Sequence, residues 1–196
     1  MTEWYRNTDW NDDIERMFFA KLGRARSQRD QYLVLQAHHL SQSHPDVSLR
    51  LIDHYFETRA DDFDDGRARG VAAAAQFASG GYVEALDNYM LVLKGQEANQ
   101  DLYVGSPLQF AFLTARFRSD THYEAAQAHL TSVDLPADEQ FEPRFRYCAA
   151  SALLHAATGR DPARALAMAQ IALGLPQPVL DSYPDVVWRL RGITRS

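Results

Sequence analysis

The stretch GRARGVAAAAQFASGGYVEALDNYMLVLKG, residues 66–95, constrains this chain more than any other. Its first half runs Val71-Ala72-Ala73-Ala74-Ala75-Gln76-Phe77, small side chains beside which a second helix can lie close. Its second half places Tyr82, Ala85, Leu86, Tyr89, Met90 and Leu93 at the i, i+3, i+4, i+7 spacing of an amphipathic helix. Between them Gly80-Gly81 supplies the backbone freedom of a sharp turn. The pattern predicts an antiparallel helical hairpin with small residues on one helix facing aromatic and branched residues on the other.

The remaining segments read as further helices. Asn11 or Asp12 caps a first one, with Ile14, Met17, Phe18, Leu22 and Ala25 on its apolar face. A second runs roughly from Ser27 to Gln42, and Pro45 suits the first turn of a third that buries Val47, Leu51, Ile52, Tyr55 and Phe56. Trp4, Tyr5 and Trp10 crowd residues 1–11 and are expected to pack as a strap over these helices. Gln96 to Pro107 is the least regular stretch. Beyond it lie LQFAFLTARFR, HYEAAQAHLTSV, FEPRFRYCAASALLHAATG, ARALAMAQIALGL and PDVVWRLRGI, separated by Ser, Gly and Pro breaks. No segment alternates with period two, so no strand is expected.

A small residue recurs on the second helix of successive pairs, at Ser48, Ala85, Ala125 and Ala165, 37, 40 and 40 residues apart. Near-constant spacing of helix pairs is the signature of a stacked array. Gly70-Val71-Ala72-Ala73 followed by Gly80-Gly81-Tyr82-Val83-Glu84-Ala85-Leu86-Asp87-Asn88-Tyr89 resembles a tetratricopeptide repeat, with Ala73, Ala85 and Tyr89 at that family's small, small and aromatic places. Thr158 to Leu166 is a weaker match, with Ala169 where the aromatic would stand, and the pairs around Ala125 and Ser48 are weaker still. The resemblance spans roughly residues 29–178. It implies one all-α domain over 1–196, a right-handed α-solenoid of about four such hairpins. Residues 1–28 would be its N-terminal strap and cap helix, and 179–196 its C-terminal cap helix. The family also implies a groove that binds a protein or peptide.

Charge narrows the partners. Residues 1–66 hold 13 Asp and Glu against 8 Lys and Arg, and the rest of the chain 13 against 12. An acidic balance argues against nucleic acid, and the acidic N-terminal third favours a basic protein partner. No apolar run reaches the length of a membrane span, the first dozen residues are polar and acidic, and Cys148 is the sole cysteine. Together these lead to the expectation of a cytoplasmic protein without membrane attachment.

Asp61-Asp62-Phe63-Asp64-Asp65-Gly66 has the acidity of a calcium loop, but aligning Gly66 as the loop's sixth residue puts Phe63 third and Ala72 twelfth, where oxygen ligands are required. It reads instead as an acidic helix cap. His38 and His39 are adjacent, and His122 and His129 lie seven apart, about 10 Å along a helix. Neither spacing suits one metal ion. There is no nucleophile elbow, phosphate loop or dinucleotide fingerprint, and Cys148 reads as a buried thiol. No metal, cofactor or catalytic residue is therefore expected.

The leading expectation is a non-catalytic binding module acting as an adaptor, a chaperone or a toxin-neutralising immunity protein. Helical spacing nominates Arg67, Phe77, Phe110, Thr114, Phe117, Arg118 and Tyr147 as partner-binding, since arginines and aromatics favour interface centres. The rival expectation is an enzyme with a scattered polar site, and a third is self-association through an exposed end of the array.

Overall fold

Local signals start and stop most of the helices. The computed structural model describes residues 3–25, 27–98 and 106–195, and among these it forms eleven α-helices and no strand. The sequence-irregular stretch from Gln96 falls largely on 99–105, outside the described residues. The chain packs as two compact units, Met1–Gly105 and Ser106–Ser196.

The first unit holds α1 (Asp12–Leu22), α2 (Arg29–Leu40), α3 (Pro45–Thr58), α4 (Asp65–Ser79) and α5 (Tyr82–Ala98). The Asn11 carboxamide accepts from the Asp13 and Ile14 N–H groups, and Pro45 opens α3. α2 pairs with α3, α4 pairs with α5, and α4 also packs on α2 and α3. Ser48 is fully buried and donates its hydroxyl to the Ala37 carbonyl of α2 at 2.8 Å. The small residue at that position thus closes a helix–helix crossing and satisfies its own polar atom. Ala85 is also fully buried, with Ala73 and Ala75 buried on the facing helix. Gly80 ends α4 at φ 86°, a left-handed conformation for which a side chain would be strained.

The aromatic strap packs down as expected. Trp4 meets Tyr5, Phe18 and Tyr32, and Tyr5 stacks on Tyr32 with centroids 4.4 Å apart. One polar residue pins it. Fully buried Gln36 accepts from the backbone N–H and the amide of Asn7, both at 3.0 Å, and donates to the Asn7 carbonyl at 2.8 Å.

The acidic turn does not cap α4 in the expected way. Asp64 stands at the N-cap but makes no side-chain capping bond; its carboxylate pairs with Arg67 at 2.9 Å. Asp65 instead receives the Tyr55 hydroxyl at 2.9 Å and Arg59 at 2.8 Å. Charged and hydroxyl donors from α3 and α4 outcompete the helix's own N–H groups for these oxygens.

The second unit holds α6 (Pro107–Phe117), a 3-10 turn (Asp120–His122), α7 (Tyr123–Thr131), α8 (Phe141–Thr158), α9 (Pro162–Leu173), α10 (Gln177–Asp181) and α11 (Pro184–Ile193). α6 pairs with α7 and α8 with α9; α8 also packs on α6, and α11 lies on α8 and α9. Asp161 caps α9 by accepting from the Arg164 N–H at 2.9 Å, and Pro162 follows at the first helical position. In α7 the register differs by one from the sequence alignment: Ala126 is fully buried and Ala125 only half-buried. The short α10 was not foreseen. Cys148 is buried, as read, and burial pushes its thiol up.

Candidate functional site

The C-terminal helix builds the most distinctive surface. Along α11, Val186, Val187 and Leu190 are buried, which turns Trp188 and Arg191 outward. Arg189 is half-buried and donates to the carbonyls of Ala115 and Arg116, both at 2.9 Å. It thereby satisfies open carbonyls near the C-terminal end of α6, the negative pole of that helix. Arg116 meets Asp185 through two hydrogen bonds at 2.9 and 3.1 Å, so α6 and α11 are tied twice.

A cavity of about 570 Å³ opens beside this junction. Leu153, Ala156 and Ala157 of α8, with Tyr123, Gly192 and Ile193, give it an apolar lining. Arg118, Arg189, Arg191 and Arg195 border it together with Trp188, whose side chain is left 73% exposed. Among the described residues, Arg118, Arg191 and Arg195 form no ion pair, and the nearby carboxylate of Asp185 is taken by Arg116. Burial lowers the Arg189 pKa, and the charge of Arg118 lowers it further, so the two guanidinium groups press on one another. Asp185 and Tyr123 offset this only in part.

Arg118 is held there at a backbone cost. It ends α6 at φ 58° and ψ 39°, the sole non-glycine residue at positive φ among those described. Only glycine takes this conformation freely, so the strain holds a guanidinium at the cavity where a glycine would have been easier to fold.

A second, more apolar cavity of about 450 Å³ shares Ala156 and Ile193 with the first. His155, Pro162, Ala165 and Leu166 border it, at the short connection from α8 to α9. The two cavities are thus neighbours, the first bordered by arginines and the second by small apolar residues; the first, arginine-bordered one is the groove beside α11. The Nδ1 atom of His155 is buried without a partner, and burial lowers its pKa, with Arg164 adding to the effect.

Of the seven residues nominated from sequence, Arg118 alone lines this groove. Phe110, Thr114 and Tyr147 are buried inside the second unit, Phe110 with its ring edge-on to His122 and His129. Phe117 is half-buried under the Arg116 guanidinium. Arg67 and Phe77 lie in the first unit, Arg67 exposed and paired with Asp64, Phe77 half-buried near Tyr82. Sequence reasoning missed Trp188, Arg189, Arg191 and Arg195. Their signal was present in WRLRGITR, where arginine recurs beside an aromatic in a segment read only as a cap.

Two other arrangements bear on chemistry. Ser119 Oγ lies 2.7 Å from His122 Nδ1, a hydroxyl–imidazole contact of the kind nucleophiles use. The residues are 5% and 4% exposed, and Thr121 shares the same nitrogen at 3.1 Å. A substrate cannot reach that oxygen as it stands, and the contact serves to close the turn before α7. In the first unit, a cavity of about 310 Å³ between α1 and α3 is bordered by Trp10, Phe19, Glu15, Asp53, Glu57 and Arg50. No group of three or more His, Cys, Asp or Glu residues suited to a metal ion occurs among the described residues, and no helix there is long and apolar enough to cross a membrane.

Compared with known proteins, the chain matches no family model, no curated protein and no solved structure.

Proposed function

We propose that this chain is a non-catalytic protein-interaction module, a tetratricopeptide-like solenoid of helical hairpins that holds an acidic, aromatic-bearing protein segment in the groove beside α11. The observation that carries the reading is the convergence of Arg118, Arg189, Arg191 and Arg195 with an exposed Trp188 over an apolar lining. Arginine is suited to this task because its planar fork meets carboxylates in pairs and stacks on aromatic faces. An apolar side chain of the ligand would enter the cavity and its carboxylates would meet the arginine rim. The order of the hairpins and the buried small residues Ser48, Ala85 and Ala165 support the solenoid.

Fluorescence of Trp188, isolated by replacing Trp4 and Trp10 with Phe, tests the reading. Acidic peptides with a central Phe should shift the emission and bind more weakly as salt rises, and Arg191→Glu with Arg195→Glu should abolish the response. Equal binding of a lysine-rich peptide, or none of either, would refute it.

A second reading follows the cavity in the first unit. Glu15, Asp53 and Glu57 outnumber Arg50 around Trp10 and Phe19 there, which suits a basic partner.

A further inference from the structure

The two most exposed large apolar side chains among the described residues stand in opposite charge. Trp188 is 73% exposed in the arginine groove, and Phe63 is 68% exposed between Asp62 and Asp64 in the turn before α4. The next most exposed, Val83, reaches only 48%. Single exposed apolar residues are ordinary on protein surfaces, but an aromatic set in a block of one charge facing a groove of the other is a complementary pair.

The turn around Phe63 is built to present that pair. Asp64 and Asp65 are spent inward, on Arg67, Arg59 and the Tyr55 hydroxyl. Asp61 and Asp62 are left exposed, and Asp61 accepts the Phe63 N–H at 3.0 Å, which fixes the ring's backbone in place. The Ala60 N–H, donated to Asp30 at 2.8 Å, ties the start of the turn to α2. Phe63 is therefore a preorganised knob flanked by two exposed carboxylates, one of which also holds its backbone, and preorganisation lowers the entropy cost of docking.

We propose that the groove beside α11 of one copy receives the Asp61-Asp62-Phe63 knob of a second copy, so that the chain associates head to tail. The inference rests on the reading that this groove holds acidic, aromatic-bearing segments, and it names the segment. Phe63 seats against Trp188 over the apolar lining, while Asp61 and Asp62 meet Arg191 and Arg195. Knob and groove are different surfaces, so the contact is heterologous: a pair leaves one copy's knob and the other copy's groove free, and assemblies grow into rings or open chains.

Sedimentation across a concentration series at low and high salt tests this. The weight-average mass should rise above the 22.2 kDa of one chain with concentration at low salt and fall back as salt screens the contact. Three variants on exposed positions should each lower the association constant about tenfold or more, with unchanged circular dichroism: Phe63→Ser, Asp61→Lys with Asp62→Lys, and Arg191→Glu with Arg195→Glu. The two charge-reversed variants, each monomeric alone, should associate when mixed, because each then meets an opposite partner. A mass of one chain at every concentration and salt overturns the proposal, as does association that the three variants leave intact. A synthetic peptide of residues 59–66 separates this failure from that of the groove. If it shifts Trp188 fluorescence while the chain stays monomeric, self-association is wrong and the acidic-segment groove stands; if the chain is monomeric and the peptide does not bind, both fall.

Discussion

The two units solve the same packing problem with opposite chemistry. Both are built of paired helices, yet the first closes its ends with aromatics and carboxylates and the second with arginines. Residues 1–105 hold 17 Asp and Glu against 11 Lys and Arg, whereas residues 106–196 hold nine of each, with arginine supplying all nine cations. The whole formal charge of −6 therefore belongs to the first unit. In the second, Asp185, Glu142 and Asp138 pair with Arg116, Arg146 and Arg144, and the arginines around Trp188 are left over. A sum of zero hides a basic groove.

Their interiors differ as well. The α4–α5 hairpin interlocks through alanines, with Ala73, Ala75 and Ala85 buried, while α6 drives Phe110 and Phe112 into the second unit's core. Close alanine packing leaves no room to grow, and a large buried ring leaves a hole when removed. Small surfaces tolerate nothing larger; large ones tolerate nothing smaller.

The comparison can be broken most severely at Phe110. Phe110→Ala should cost about 3–5 kcal/mol through lost burial and a residual cavity, read as the midpoint of urea unfolding. Loss below about 1 kcal/mol would mean that Phe110 serves a partner surface after all, as its helical spacing allowed. Ala85→Leu, the opposite change in the other hairpin, should cost about 1–3 kcal/mol by overpacking. A wild-type midpoint for this variant would show that α4 and α5 are not in close register, and the repeat alignment built on Ala85 would go with it. Asn88 on the same helix is half-buried and its amide donates to Gln76 across the hairpin at 3.0 Å, so Asn88→Ala should also lower the midpoint, by about 1 kcal/mol of stability.

The smallest effect has the reverse sign. Arg118→Gly relieves about 1–2 kcal/mol of left-handed strain and incurs about 0.5–1 kcal/mol of glycine's chain entropy, so the protein should gain about 0–1.5 kcal/mol. The same variant should weaken binding of acidic peptides in the Trp188 assay. Gain of stability with loss of binding would mark Arg118 as held in strain for the groove; loss of stability would show that its side chain supports the fold.

Much was legible in the sequence because it is decided within a few residues. Asn11 and Asp161 cap helices, Pro45, Pro107, Pro162 and Pro184 sit in their first turns, and Gly80 and Gly159 end them in the left-handed conformation. Helix termini are local events, since an orphan N–H or carbonyl is satisfied by a neighbour three or four residues away. Of the small residues that the repeat spacing aligned at 48, 85, 125 and 165, all but Ala125 are buried. Even the strap was readable, as Trp4, Tyr5 and Trp10 had to cover apolar surface somewhere nearby.

Which face of a helix ends up inside was decided elsewhere. Periodicity shows that α6 has two arcs of residues, but only the packing of α7 and α8 against it buries Phe110 and Thr114 and leaves Arg118 at the edge. Gln36 looked like one polar residue in a helix, and only the return of residues 4–7 across α2 makes it the pin of the strap. The groove is the clearest case. Arg118 lies 70 residues or more from Arg189, Arg191 and Arg195, and no spacing rule connects them. They converge because buried Val186, Val187 and Leu190 seat α11 on α8 and α9, and because Arg189 reaches the free carbonyls at the end of α6. Helix positions follow from the chain's local chemistry; the meeting of like charges does not, because it is unfavourable in itself and persists only where the packing of apolar faces holds the charges together.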